Sequence, residues 1–493
     1  MSHQGRDAVV LGLGLTGYSL ARYLVANGAN VRVADTRSRP PFGAKLAAAL
    51  PKVPVITGPI DDTTFIGADL IAISPGVAKD QPAIATAVAR GAELVGDIEL
   101  FARALPPEQK VLAITGSNGK TTVAALTGAL CRAAGLATTV AGNIGDAVLD
   151  SLTAENLWPD VFVLELSSFQ LDASACGTFE PDVGALLNVT EDHLDWHGNF
   201  AAYGAAKARV FGETALIVVN RDDAAAMALV PPPKTLPPTR KGRPPRIVER
   251  RVVTFGANVP ERPGDWGLAV ENDMAWLARA LDDDEVGNRE GIVLRHLMPA
   301  DALRIRGRHN AVNALAALAL ATAAGCPLAP MLYGLREYRG EPHRVEPVGI
   351  IHEVEYFDDS KGTNVGATVA ALQGLGADRK VVVILGGDGK GQDFSPLGEP
   401  VARHARAVVL IGRDGPQIRA ALESTGVTLI DAASMDEAVK LAMQRAHPGD
   451  AVLMSPACAS FDMFRDYAHR ADVFRAAVQA VADDAGVSLE VRE

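Results

Sequence analysis

Residues Val111–Thr122 read VLAITGSNGKTT, an apolar run broken by a glycine-rich turn that carries a lysine. The run has the length and β-branched content of a buried parallel strand. Gly116, Ser117, Asn118 and Gly119 then form a loop, and Lys120, Thr121 and Thr122 open a helix. Strand, loop and helix in that order gather unpaired backbone N–H groups and the positive end of a helix dipole around one point. A polyphosphate is favoured there. Lys120 would reach the β- and γ-phosphates of a nucleotide, and the Thr121 hydroxyl would ligate Mg²⁺. Ile114 stands where the longer phosphate-loop pattern has a glycine, so this is the shorter GxxGKT form. The bland alternative is a glycine-rich turn with a surface lysine; the strand–loop–helix placement argues against it.

Strand-like and helix-like stretches alternate along almost the whole chain, the pattern of doubly wound parallel sheets. At 493 residues the chain is too long for one core. At about 150 residues per domain it divides into three. The expected fold is α/β in three domains, with borders at 1–99, 100–340 and 341–493. The first opens with a strand at Ala8–Gly12, a helix over Gly17–Ala26 and a strand at Val31–Asp35. The second adds strands at Val161–Leu166, Val183–Val189 and Ala215–Asn220, and closes on a helical run at Asn310–Ala324. The third shows strands at Lys380–Leu385, Ala407–Ile411 and Ala451–Met454, then an amphipathic helix near Asp472–Asp483. Pro231–Arg251, rich in proline and basic residues, reads as an exposed loop, with a binding arm as the lesser alternative.

Charge and cysteine content exclude several classes. A formal net charge of −12 argues against general nucleic-acid binding, which demands clustered Lys and Arg, but not against small anionic ligands. The four cysteines, Cys131, Cys176, Cys326 and Cys458, form no CxxC pair, which argues against a zinc site or a disulfide framework. The N-terminus runs directly into a strand with no basic-then-apolar leader, and the longest apolar stretch, Ala314–Ala324, is too short for a bilayer. The expectation is a soluble cytoplasmic protein with no membrane insertion. Nothing in the chain marks an oligomer interface, so a monomer is expected.

A second glycine motif sits at the N-terminus. Gly12, Gly14 and Gly17 make GxGxxG on a strand-to-helix turn, and Asp35 ends the following strand. Taken alone this is a dinucleotide fingerprint, with the acidic residue on a ribose hydroxyl. An NAD-dependent dehydrogenase therefore remains a rival. A dehydrogenase, however, has no use for the second phosphate loop a hundred residues later. The physics of the motif specifies a diphosphate near backbone amides, which a UDP-linked molecule supplies equally well. A nucleotide switch without group-transfer chemistry is a further alternative.

In the central region Glu165 ends a strand in ELSSFQL, where a carboxylate can hold Mg²⁺ beside Thr121. His193 follows a strand end in NVTEDHLDWH, and Lys207 lies on an alanine-rich helical segment. Residue type alone makes the histidine structural and the lysine solvated.

Together these motifs resemble one family over nearly the whole chain, the Mur ligases of peptidoglycan synthesis, and within it the D-glutamate-adding branch. GLGLTG, DTR at Asp35–Arg37, SPG at Ser74–Gly76 and GDIELF at Gly96–Phe101 are similar to its UDP-binding domain. GSNGKTT, AGNIG at Ala141–Gly145, ELSSFQL and EDHLDWH are similar to its ATPase domain. HNAVNA at His309–Ala314 and PHR at Pro342–Arg344 border the C-terminal domain. DDSKGTN at Asp358–Asn364, GGDGKG at Gly386–Gly391 and SPACASFD at Ser455–Asp462 belong to it.

The resemblance implies a Rossmann-like N-terminal domain, a P-loop-type ATPase domain with a mostly parallel sheet, and a Rossmann-like C-terminal domain. It implies that Gly14, Leu15, Thr16, Asp35, Thr36 and Arg37, with Ser74, embrace a UDP moiety. Asn143, Gln170 and His193 would line the muramoyl-alanine part of UDP-N-acetylmuramoyl-L-alanine. Gly116–Thr122 would hold ATP, joined from the C-terminal side by Asn310, Asn313, Arg344, Asp359 and Lys361. Glu165 and Thr121 would bind one Mg²⁺; His193 and a carbamylated Lys207 would bind a second. Lys120, His193 and Lys207 form the implied catalytic set. Thr363, Lys390, Ser460 and Phe461 would hold D-glutamate, and Tyr467 stands where the family often has phenylalanine. The implied reaction is ATP-dependent amide ligation through an acyl phosphate.

Overall fold

The inner strands of the parallel sheets are short, apolar and buried on both faces, as strands covered by helices must be. A computed structural model describes residues 3–152, 158–173, 179–236, 246–282, 291–377 and 379–489. Three parallel or mostly parallel sheets carry the architecture.

The first sheet comprises β1 (Asp7–Leu11), β2 (Asn30–Asp35), β3 (Val55–Thr57), β4 (Leu70–Ile73) and β5 (Glu93–Val95). Its order is β3-β2-β1-β4-β5, all parallel. The winding direction reverses between β1 and β4, and a ligand crevice opens at the carboxyl ends of strands flanking such a reversal. Gly12 and Ser74 follow those two ends. The helix over Leu15–Ala26 starts two residues before its predicted start, because Gly14 is extended and serves as its N-cap.

The central strands are β6 (Lys110–Thr115), β7 (Thr138–Gly142), β8 (Val161–Glu165), β9 (Val183–Leu186) and β10 (Leu216–Asn220). A short antiparallel pair, β11 (Lys234–Leu236) and β12 (Arg246–Val248), precedes β13 (Val252–Phe255). The sequence suggests an unbroken loop from Pro231 to Arg251; the structure pairs its flanks, an arrangement that the extended bias of residues before proline favours. Residues 237–245 within it lie outside the described residues. The parallel run is β13-β10-β9-β6-β8-β7. Here β6 sits between β8 and β9, so the reversal point falls at the phosphate-loop strand.

Further along come β14 (Trp266–Glu271), β15 (Met274–Asp282) and β16 (Ile292–Pro299), the last two antiparallel. The third sheet holds β17 (Glu346–Ile351), β18 (Val354–Asp358), β19 (Val381–Gly386), β20 (Ala405–Ile411), β21 (Thr428–Asp431) and β22 (Ala451–Met454). Its order is β17-β18-β22-β19-β20-β21, with only the β17–β18 pair antiparallel. Alternate residues of β19 feed two cores. Val381, Val383 and Leu385 pack on one face, Val382 and Ile384 on the other.

The chain groups into two compact units. One contains residues 1–256, 264–266 and 316–334; the other contains 257–263, 267–315 and 335–493. Within the first unit a continuous core joins the first and central sheets, with Phe101 edge-on to Phe162 of β8 at 5.1 Å. No helix among the described residues is long and apolar enough to cross a membrane.

Candidate active site

Asp35 closes the first crevice in a way the sequence does not display. Its Oδ2 accepts from Leu13 N at 2.7 Å and from the Arg37 guanidinium at 2.6 Å. Its Oδ1 accepts from Arg37 N and Arg37 Nε, both at 2.8 Å. These bonds, the Arg37 side chain foremost, hold the carboxyl down at about 2. All its strong acceptor directions are taken. A ribose-clamping carboxylate must keep oxygens open, so the dehydrogenase reading loses its acidic residue. What the crevice offers instead is the half-exposed Arg37 guanidinium, aimed by Asp35.

A pocket of 740 Å³ runs from this crevice to the central sheet. Gly14, Leu15, Thr16, Asp35, Thr36, Arg37 and Ser74 line one end, and Asn143 and Gln170 the other. The structure therefore brings together nearly all the residues expected to embrace the UDP-linked substrate. Phe169 and Trp196 also line it, two aromatic walls that sequence reasoning missed although they lie inside ELSSFQL and EDHLDWH.

Gln170 is fixed by its neighbours. Its Oε1 accepts from Ser167 N and Ser167 Oγ, and its Nε2 donates to Asp97 Oδ2 at 3.1 Å. Asp97 is buried, its other oxygen has no hydrogen-bond partner among the described residues, and burial pushes its carboxyl up to about 6.

The phosphate loop follows β6. Gly119 takes φ +82° as the N-cap of helix Lys120–Ala133, a conformation that favours glycine. The loop is braced from behind: Asn188 Oδ1 accepts from Asn118 N at 2.8 Å, and the Ser117 hydroxyl donates to Thr190 O at 3.0 Å. Lys120 Nζ is folded back onto the Gly116 and Ser117 carbonyls at 2.7 and 2.8 Å.

Lys207 is not solvated. It is 1% exposed, donates to the same Gly116 carbonyl at 2.8 Å, and lies 4.5 Å from the Tyr203 ring centroid. Asn199 caps its helix through Ala202 N. Burial above all, then the nearby Lys120 charge, lowers its basicity well below the ordinary lysine range; Asp192 and Glu165 pull the other way.

Glu165 ends β8, with Asn143 Nδ2 donating to its Oε1 at 3.0 Å and Asn143 N donating to its backbone carbonyl. Gly142 permits this approach, since a Cβ there would meet Glu165 O at 2.3 Å. Glu165 Oε2 is buried without a hydrogen-bond partner among the described residues. A buried carboxylate oxygen left open is what a hard cation requires, and Thr121 is buried at the start of the loop helix in the same unit. These residues fit Mg²⁺. His193 adopts φ +53° at the start of the short helix Leu194–His197, its ring 4.8 Å from that of Phe169. Its Nε2 faces Asp192 at 3.6 Å, another acidic neighbour not singled out from sequence.

In the second unit three loops meet at the carboxyl ends of neighbouring strands β18, β22 and β19. Ala457 N donates to Gly362 O, and Asp388 and Ala459 exchange backbone hydrogen bonds. The segments carrying Thr363, Lys390 and Ser460 thus converge. Ser460 is buried, Lys390 is exposed in its turn at φ +52°, and Phe461 is 70% exposed. The Lys361 ammonium lies 5.6 Å from the Tyr467 ring centroid. Asp359 accepts from Ser455 Oγ at 2.6 Å, and burial raises its carboxyl to about 7 against the opposing pull of Ser455 and Arg344. Asn313 Nδ2 donates to Asn310 Oδ1, and Asn310 Nδ2 to Arg306 O.

Arg470 pins this arrangement from within. It is fully buried and donates to Cys458 O at 3.1 Å and Ser360 O at 2.8 Å. Burial lowers its guanidinium to about 10.

Two phosphate-suited crevices on doubly wound sheets, followed by a third α/β domain, define a nucleotide-using enzyme of the three-domain ligase kind. Three family models match: the Mur ligase MurD-like N-terminal domain at residues 6–96, the Mur ligase middle domain at 114–234, and the Mur ligase glutamate ligase domain at 343–458. A UDP-N-acetylmuramoylalanine--D-glutamate ligase from Albidiferax ferrireducens is 56% identical, covering 99% of this chain and 98% of its own. One from Burkholderia mallei is 52% identical, with 98% of each covered. Among solved structures, the MurF ligase from Thermotoga maritima in complex with ADP aligns with TM-score 0.57 at 16% identity, over 97% of this chain and 96% of its own. The UDP-N-acetylmuramate–alanine ligase from the same organism aligns at TM-score 0.55 and 22% identity, over 96% and 99%. This chain belongs to the Mur ligase family.

Proposed function

We propose that this chain catalyses the ATP-dependent joining of D-glutamate to UDP-N-acetylmuramoyl-L-alanine in peptidoglycan synthesis, in the cytoplasm. The relatives that match over nearly their full length are named as ligases of UDP-N-acetylmuramoylalanine and D-glutamate. The observation that carries the reading is the pocket that begins at Arg37 and ends beside Gln170 and Asn143, in the same unit as the Lys120 loop. A long UDP-linked substrate fits such a pocket, its diphosphate at the Gly14–Thr16 helix start and its carboxylate end toward the phosphate loop.

A carboxylate does not acylate an amine at neutral pH, because oxide is too basic to leave. Attack of the substrate carboxylate on the γ-phosphorus of ATP forms a C–O–P linkage and releases ADP. The D-glutamate amine then attacks the acyl carbon, and phosphate leaves as the amide forms with loss of a proton. Lys120 exchanges its two loop carbonyls for phosphoryl oxygens, stabilising the charge that develops there. Glu165 and Thr121 hold Mg²⁺, which when bound neutralises phosphoryl charge.

His193 and Lys207 are assigned to a second ion, with Lys207 as a carbamate. Its enclosure supports this, since an enclosed ammonium is disfavoured and the neutral amine is the form that adds to CO₂. Asn310, Asn313, Arg344, Asp359 and Lys361 are assigned to ATP. Lys390, Thr363 and Ser460, with Phe461 and Tyr467 flanking, are assigned to D-glutamate, whose two carboxylates need a cation and hydrogen-bond donors. The functional borders are taken at 99/100 and 340/341.

The test is phosphate release measured with each substrate omitted in turn. Release should require ATP, Mg²⁺, UDP-N-acetylmuramoyl-L-alanine and D-glutamate together. Equal release without D-glutamate would reduce the protein to a nucleotide hydrolase or switch.

A further inference from the structure

Cys131 lies near the end of helix Lys120–Ala133, the helix that begins at the phosphate loop. Cys326 lies in the turn between helices Arg308–Ala323 and Leu328–Glu337. They are 195 residues apart in sequence, yet their sulfurs lie 3.8 Å from one another, in thiol–thiol contact. Both are free and buried. We propose that Cys131 and Cys326 form a reversible disulfide-forming site whose oxidant is a hydroperoxide.

The surroundings differentiate the two sulfurs. Lys110 Nζ donates to Ala324 O at 2.9 Å, which places its ammonium beside the Cys326 turn. Contact with the Cys131 thiol, helped by that ammonium, lowers the Cys326 thiol below its ordinary value. Cys131, enclosed in the core and facing Cys326, is raised. Cys326 is thus the sulfur that reacts first, and Cys131 the one that resolves.

The Cys326 thiol gives up its proton and the thiolate attacks the terminal peroxide oxygen; the O–O bond breaks, the departing oxygen takes up that proton and leaves as water from hydrogen peroxide or as an alcohol from an organic hydroperoxide, and Cys326 becomes a sulfenic acid. Cys131, losing its proton, attacks that sulfur and expels the hydroxyl as water. Both sulfurs are oxidised, the peroxide is reduced, and the pair closes from 3.8 Å to about 2.05 Å. A thiol reductant reverses the bond. The cross-link ties the far end of the phosphate-loop helix to the turn entering Leu328–Glu337. A chain that is reduced under ordinary cytosolic conditions would carry it only under oxidant load.

The test treats the folded, full-length protein with hydrogen peroxide and reads it by intact mass, thiol titration and peptide mapping without reductant. Two of the four cysteines should be lost to titration, with a mass decrease of about 2 Da and one linked peptide pair, Cys131–Cys326, all restored by dithiothreitol. Cys131→Ser should instead leave Cys326 as a sulfenic acid that a dimedone probe captures, and Cys326→Ser should lower total oxidation about tenfold or more. The cross-linked protein should melt several degrees higher than the reduced one. Over-oxidation of Cys326 without a cross-link, or a linked peptide containing Cys176 or Cys458, would overturn the assignment. So would an unreactive native protein that reacts only after denaturation.

Discussion

Two turns in this molecule share nearly the same letters and do opposite things. Gly116–Lys120 reads GSNGK and Gly386–Lys390 reads GGDGK, each at the carboxyl end of a buried parallel strand. The first runs straight into a 14-residue helix. Its bracing comes from behind, through the neutral side chains of an asparagine and a serine. The second is stitched by acids. Asp414 accepts from Gly389 N at 2.6 Å, Asp388 accepts from Lys390 N at 3.1 Å, and Arg413 pairs with Asp388. The carboxylates that already occupy these backbone donors repel a polyphosphate. On the proposed function the first turn is the phosphate cradle, and the second is a stand for one exposed ammonium. A glycine–lysine pattern says that the backbone can turn; the neighbouring side chains decide which charge it welcomes.

The largest test of that contrast is Lys120→Ala. Loss of the cradle's flexible cation should cut ligation by about 10³-fold or more, with the affinity for the UDP-linked substrate little changed. Steady-state turnover and titration calorimetry on the same variant check both halves. A tenfold loss or less would place the phosphoryl charge elsewhere.

A smaller effect is expected at the other turn. Lys390→Ala should raise the D-glutamate KM by about tenfold, the scale of one charge-assisted contact, while the ATP KM stays within about twofold. If both rise together, the second turn also serves the nucleotide and the contrast fails.

The smallest effect concerns Asp97, a buried carboxylate that holds the Gln170 amide as Asp414 holds the Gly389 amide. Burial raises its carboxyl from 3.8 to about 6 in the folded state. Between those values the folded protein keeps a proton that the unfolded chain has lost. Stability from this group is therefore full below the lower value and declines as the pH rises to the upper one. Ionising the buried group costs the folded protein about 3 kcal/mol at neutral pH. Asp97→Asn should therefore raise the melting temperature by a few degrees at about pH 7.5 and leave it nearly unchanged at about pH 3, below the unfolded value. An equal effect at both values would mean that Asp97 does not titrate there.

Much of this was legible in sequence because it is local. The Val111–Thr122 segment contains its own strand, turn and helix start, and the turn of Gly12, Gly14 and Gly17 contains its own crevice. Burial of alternating or continuous apolar runs follows directly from their pattern, as in β8 and β19. What stayed hidden depends on contacts between distant residues or on the conformation of a loop. The helix around Lys207 is alanine-rich and looks like a surface; its enclosure comes from a carbonyl 91 residues away. Asp35 reads as a ribose clamp until Arg37 folds back onto it, a loop conformation that no periodicity encodes. Asp97 lies in the motif GDIELF, yet its role requires Gln170, 73 residues on.

Arg470 carries a consequence for how the protein comes to be active at all. It belongs to the helix Tyr467–Asp484, and it grips the carbonyls of Ser360 and Cys458, in the two loops that present Lys361, Thr363 and Ser460. During synthesis those loops emerge before the arginine that fastens them. A nascent chain halted before residue 470 would have every residue assigned to catalysis and every strand of the third sheet, but no clasp. Such a chain should hold nucleotide in its phosphate loop while failing to select an amino acid, so competence for the amide-forming step arrives only with helix Tyr467–Asp484.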